Sequence, residues 1–164
     1  MLQSSYQAVV PTEDHLLELS PGDMREIVPG AYPYTRLATF AEDTVLMYVG
    51  ISYGPVDVTV ELHDSKPPQE LDRWEDVAEG IVEYKGKGLV LQGRELEVFL
   101  PTEPGMTLTP AGSHRYGVRV HANGKGTYYD GPLFEEDPVE QYLIQLWPTT
   151  AVRWPKQLKN DSGR

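Results

Sequence analysis

Apolar and polar residues alternate along this chain with a period of two, in short runs separated by Gly, Pro and Asp. The cleanest run is residues 55–62. Val56, Val58, Val60 and Leu62 fall on one side of an extended chain, and Asp57, Thr59, Glu61 and His63 on the other. That alternation predicts a half-buried strand. Residues 116–122 and 141–147 repeat it. Tyr116, Val118 and Val120 share one face, as do Tyr142, Ile144 and Leu146. Residues 44–49 read as apolar throughout, the pattern of a strand buried on both faces. Shorter candidate strands lie at 7–10, 15–19, 81–84, 89–91 and 96–100, with a short extended piece at 106–109.

The breaks between these runs have turn chemistry. Pro21-Gly22 suits a type II turn, and Asn123-Gly124 is a preferred hairpin pair. Residues 50–54 are expected to join two strands as a hairpin, as are 85–88 and 92–94, so sequence neighbours should be antiparallel. Pro29, Gly30 and Pro33 exclude a long helix at 24–34, which reads as an ordered loop. One short helix or helical turn is expected within 69–79, where Trp74, Val77 and Ala78 have helical spacing and Asp72 can serve as N-cap. The expected fold is therefore all-β: an antiparallel β-sandwich or open barrel of roughly eight to ten strands with one short helix. Residues 1–155 read as one β domain, and 156–164 as a polar, frayed C-terminal tail. A parallel α/β fold would need a long helix between most strands, and only one candidate exists.

Composition narrows the function classes. The chain has 164 residues, 40% of them hydrophobic, which is enough for a core. No run approaches the ~18 apolar residues of a membrane span, and the first residues lack the features of a signal peptide. A cytoplasmic location is the expectation. There are no cysteines, which excludes disulfides, thiolate zinc sites and cysteine nucleophiles. The formal net charge is −11, unevenly spread. Residues 1–84 carry 16 acidic and 4 basic side chains, and residues 85–164 carry 9 and 10. An acidic half repels a phosphate backbone, so nucleic-acid binding is not expected. A basic protein partner suits it, as does a purely solubilising role.

Catalytic and metal motifs are missing. His15, His63, His114 and His121 show no H-x-H or H-E-x-x-H spacing, and no cofactor loop or serine elbow is present. The glycine-rich stretches 85–88 and 123–126 are too short to cradle phosphate and lie between strands. The abundant chemistry is carboxylate and aromatic. Asp130, Glu135, Glu136, Asp137 and Glu140 crowd one connection, and Glu70, Asp72, Glu75, Asp76 and Glu79 surround Trp74. Tyr32, Tyr34, Tyr53, Tyr128 and Tyr129 fall in expected loops, where tyrosine serves protein interfaces and sugar stacking alike. Trp147 reads as core, and Trp154 as a cover for a sheet edge.

Two stretches carry a resemblance. Arg115-Tyr-Gly-Val-Arg-Val-His-Ala-Asn-Gly124, followed by Glu140-Gln-Tyr-Leu-Ile-Gln-Leu-Trp-Pro148, resembles the closing part of a group of small acidic β-proteins of actinobacteria. Trp74-Glu-Asp-Val77 fits the same group, and no catalytic residue comes with it. More distantly, a Leu-rich strand, a loop and then Arg115-Tyr116-x-Val118-x-Val120 is similar to the ComJ-like inhibitors of DNA-entry nucleases. That similarity implies a small acidic β-protein that binds a nuclease. The loop 101–112 is longer here than that family's turn.

The reading is a non-enzymatic protein-binding module, of an immunity or nuclease-inhibitor kind, that captures a basic partner through acidic surface. The alternative is a β-sandwich that binds carbohydrate or another small ligand. The candidate partner-binding residues are Tyr128, Tyr129, Asp130, Glu135, Glu136 and Asp137, because a connection of that length exceeds what packing requires.

Overall fold

The structure is a computed structural model that describes residues 1–22, 32–93, 97–125, 137–152 and 154–162. The expected loop at 24–34 lies largely outside the described residues. The chain is all-β, as its period-two pattern requires. In chain order the strands are β1 (Leu2–Glu13), β2 (Leu16–Ser20), β3 (Ala38–Ala41), β4 (Thr44–Tyr48), β5 (Tyr53–His63), β6 (Asp76–Tyr84), β7 (Val90–Gln92), β8 (Val98–Leu100), β9 (His114–Asn123), β10 (Gln141–Pro148) and β11 (Lys156–Asn160).

These strands form one curled, open half-barrel sheet rather than two facing sheets. Its order is β11-β6-β9-β10-β5-β1-β2-β4-β3, with β7 paired to β2 and β8 to β7. The described residues thus hold 11 strands, more than the expected number. The curl brings the turn after β3 back to β6, where the Glu83 N–H donates to the Glu42 carbonyl at 2.8 Å. The inner face holds one core. Val56, Val58, Val60, Val118, Val120, Ile144 and Leu146 are all fully buried there. Each contributes roughly 1.5–3 kcal/mol relative to exposure. The apolar phases of 55–62, 116–122 and 141–147 are the faces the sequence pattern predicts.

Several pairings differ from expectation. Residues 50–54 do not close a hairpin: β4 pairs with β2 and β3, while β5 pairs with β1 and β10. Turn chemistry at 50–54 fixes a local bend and not which strand pairs with the next. The β5–β10 pair is parallel, with Asp57 beside Gln141 and Leu62 beside Leu146. Residues 85–88 are also no hairpin, since β6 pairs with β9 and β11 and β7 with β2 and β8. The β7–β8 antiparallel pair is as expected. Another hairpin is very tight. Glu13 faces Leu16 across Asp14 and His15, whose φ angles are 53° and 63°. Both are positive, as a two-residue type I′ turn demands.

The helical reading of 69–79 holds only for the 3-10 turn Leu71–Arg73. Asp72 lies inside that turn, not at its N-cap. Val77 and Ala78 belong to β6, so tertiary pairing overrides their helical spacing. The expectation of a frayed tail is also corrected. Lys156–Asn160 pairs antiparallel with β6 as β11, with a bulge between Gln157 and Lys159. No helix among the described residues is long and apolar enough to cross a membrane.

Candidate functional site

Strand β9 is buried on both faces, which its alternation alone does not reveal. Its inner residues pack in the core. Of its outer residues, Arg119 and His121 lie against the segment between β5 and β6, and Gly117 lies under the Trp147 indole. Register places Glu61, Gln145, Arg119, Glu79 and Lys156 in one row across β5, β10, β9, β6 and β11. Hydrogen bonds run along that row. Gln145 Nε2 donates to Glu61 Oε1 at 3.1 Å, and Arg119 Nη1 donates to Gln145 Oε1 at 3.1 Å. Arg119 Nε and Nη2 both donate to Glu79 Oε1, at 3.2 and 2.8 Å. Arg119 Nη1 also reaches the Pro67 and Pro68 carbonyls at 3.0 and 3.2 Å. Arg119 is 0% exposed, yet it has a carboxylate, a side-chain amide and two carbonyls around it. A buried guanidinium is stable only with such a complete set of acceptors.

The neighbouring row adds His121. Its Nδ1 lies 2.9 Å from the Leu143 carbonyl, and its ring sits 5.3 Å from that of Trp74. Burial, helped by the nearby Arg119 charge, pushes its pKa down to about 4, against the pull of the Leu143 carbonyl and of Glu61 and Glu70. The imidazole is therefore neutral at neutral pH. His63 pairs with Glu61 at 3.0 Å. Among the described residues no group of three His, Asp or Glu side chains could hold a metal.

Beside this row lies a cleft of about 90 Å³ between β6 and the 149–156 segment. Ile81, Trp147, Ala151 and Trp154 supply its apolar walls, and Lys66, Glu79 and Lys156 its polar ones. Trp147 is buried, as expected, but on the outer face. Its indole lies over Gly117, where a Cβ would come within 2.2 Å of the ring. Only glycine leaves room there. Lys66 Nζ and the Arg119 guanidinium stand 5.9 and 5.2 Å from a Trp147 ring centroid. Trp154 is 80% exposed and lines the cleft beside Lys156 of β11.

The connection between β9 and β10 was the sequence candidate. Tyr128, Tyr129, Asp130, Glu135 and Glu136 lie outside the described residues. Asp137 is described and exposed, near the base of the connection. That base is pinned by Glu140, which is 1% exposed and thus differs from the exposed Asp137. Glu140 Oε1 accepts from the Gly50 N–H at 2.7 Å and the Tyr142 hydroxyl at 2.5 Å. Glu140 Oε2 is buried with no hydrogen-bond partner among the described residues. Burial raises the Glu140 pKa, although hydrogen bonds from Tyr142, Gly50 and Ile51 and the nearby Lys125 charge work the other way. Gly50 is pressed against the other end of the connection: a Cβ there would lie 2.0 Å from the Lys125 carbonyl oxygen.

Sequence reasoning missed the Arg119 row, the cleft and the burial of Glu140. One signal was present. Arg119, His121 and Gln145 occupy the polar phase of otherwise apolar strands, and three such residues on paired strands suggest a covered polar layer.

These features define an all-β half-barrel protein with two buried, charged clusters on or beside its sheet. Neither a family model nor a curated protein matches the sequence. Two solved structures share the fold. A protein titled crocagin biosynthetic gene J matches with a TM-score of 0.54 and 18% identity, over 88% of this chain and 97% of its own. ComJ from Bacillus subtilis, titled an inhibitor of the DNA-degrading activity of NucA, matches with a TM-score of 0.53 and 8% identity. That match covers 91% of this chain and 99% of ComJ. At these identities the likeness shows the fold alone, and it bears out the distant ComJ-like resemblance of the 115–120 segment.

Proposed function

We propose that this chain is a non-enzymatic, inhibitor-type protein-binding module that captures a basic protein partner through acidic surface. The observation that carries the reading is the fold shared with ComJ, itself an inhibitor of a nuclease, over nearly the whole of both chains. The net charge of −11 supports it, because opposite charge speeds encounter and selects partners. In this reading Tyr128 and Tyr129 bury against the partner. Asp130, Glu135, Glu136 and Asp137 supply the negative rim, and the Glu140 anchor fixes the base of the connection. The module works by covering its partner, with no chemistry of its own.

The test is an assay of DNA degradation by NucA and by a panel of basic bacterial nucleases, with the chain added. At least one nuclease is inhibited, and raising the salt from 50 to 500 mM slows association by roughly tenfold or more. Reversing Asp130, Glu135, Glu136 and Asp137 to Lys abolishes most of that salt dependence. Inhibition that ignores both salt and charge reversal would remove the acidic surface from the reading. No inhibition anywhere in the panel would remove the nuclease-inhibitor role.

A further inference from the structure

The cleft beside Trp147 has two features that point to a ligand. First, its apolar walls include an indole that is 80% exposed. A Trp left in water beside an apolar cleft gains by taking a ring-shaped partner. Trp147 forms the fixed wall, because Gly117 lies beneath it and the Lys66 and Arg119 cations stand by its rings. Trp154 forms an exposed wall of the same cleft.

Second, the local charge is reversed. The chain as a whole has 25 acidic residues against 14 Lys and Arg. Around the cleft, Lys66, Lys156 and Arg119 face a single carboxylate, Glu79. Arg119 donates two hydrogen bonds to Glu79 Oε1, and Lys66 shares the same oxygen at 3.3 Å. One carboxylate therefore serves two cations, and Lys156 adds a third at the exposed rim. The excess positive charge suits an anion. A space of about 90 Å³ has room for about three waters, or one ring.

We infer that this cleft binds an aromatic carboxylate, with its ring between Trp147 and Trp154 and its carboxylate on Lys156 and Lys66. The chemistry has two sources: a free aromatic carboxylic acid, or the C-terminal aromatic residue of a polypeptide. The inference is independent of the proposed inhibitor role.

The experiment follows the three indole N–H signals of the full chain by NMR, assigned through single Trp→Phe variants. The probes are 3-phenylpropanoate, its uncharged counterpart 3-phenylpropanol, and a short peptide ending in Phe with a free or amidated C-terminus. The Trp147 and Trp154 signals shift saturably with the free acid or the free-carboxylate peptide, while Trp74 stays in place. The uncharged counterparts bind at least about fivefold more weakly, and Lys156→Glu or Trp154→Ala weakens binding by about tenfold, or about 1.4 kcal/mol. Both substitutions are at exposed side chains, so the fold persists. A peptide that binds at least about tenfold tighter than the free acid identifies a chain terminus as the source; equal affinity identifies the small acid. The inference is overturned if neither carboxylate probe gives a saturable shift of these two indoles. Equal affinity for charged and uncharged probes, or unchanged binding by Trp154→Ala, overturns it as well.

Discussion

Arg119 and Glu140 are both buried charged side chains, and the protein houses them in opposite ways. Arg119 sits in the middle of β9 with its donors directed to Glu79, Gln145 and the carbonyls of Pro67 and Pro68. Glu140 sits one residue before β10 with its acceptors concentrated on one oxygen. The first is a completed network that ties four strands and a crossing segment together. The second is a charge that burial opposes, held at the base of a long connection. A completed network resists change at all pH values where its partner is ionised. An incompletely served carboxylate answers to pH.

The strongest way to break the Arg119 side of this contrast is Arg119→Ala. It strands the two proline carbonyls and leaves Glu79 with Lys66 alone, and the expected loss is about 3–5 kcal/mol in urea unfolding. Combining Arg119→Met with Glu79→Leu removes both charges and recovers at least about 1 kcal/mol of that loss. No recovery would mean that Arg119 serves the Pro67 and Pro68 carbonyls more than Glu79.

His121 tests the same outer layer by pH. Its folded pKa is about 4, below the ordinary 6.5, so the unfolded chain binds its proton first. Stability from this group is full above pH 6.5 and is lost as pH falls through about 4. The loss amounts to about 3 kcal/mol. His121→Phe should flatten that acid limb, as read from urea midpoints between pH 7 and pH 4. An unchanged limb would assign it to other groups.

Gly50→Ala moves the test to the base of the connection. A methyl group 2.0 Å from the Lys125 carbonyl cannot be accommodated without backbone movement. The expected cost is about 1–3 kcal/mol, measured by the same unfolding assay. A neutral result would mean that 124–125 can move away from 50 without loss.

The two regions also differ in how far they can be read from the amino acids. The inner face was legible because Val56, Val58 and Val60 alternate strictly with polar residues, and a period of two has only one strand interpretation. Strand partners were legible only in part: the β7–β8 pair was, and the partners of β4, β5 and β6 were not. Residues 50–54 and 85–88 look like hairpin turns, yet each carries the chain to a non-neighbouring strand, because turn chemistry fixes a local bend and not the strand that follows. The polar tail 156–164 looked frayed for lack of apolar residues. β11 is held by backbone hydrogen bonds to β6, which leave no trace in composition. The burial of Arg119 and Glu140 was not legible, because it depends on partners distant in sequence: Pro67, Pro68 and Glu79 for Arg119, and Gly50 for Glu140.

Glu140→Gln gives the smallest effect and the sharpest contrast with Arg119. Burial raises the Glu140 pKa above the ordinary carboxylate value, so the folded chain holds its proton more tightly than the unfolded chain does. The sign is therefore opposite to that of His121. The stabilising contribution is full below the ordinary carboxylate pKa and is lost as pH rises through the folded value. Glu140→Gln keeps an oxygen to accept from Gly50 and Tyr142 but cannot ionise, so its stability should not fall over that window. The difference between the wild-type chain and the variant should grow in the variant's favour as pH rises from 4 to 8, with urea midpoints as the measure. A constant difference would mean that Lys125 and the three donors hold Glu140 ionised without penalty. The base of the connection would then be as pH-independent as the Arg119 row.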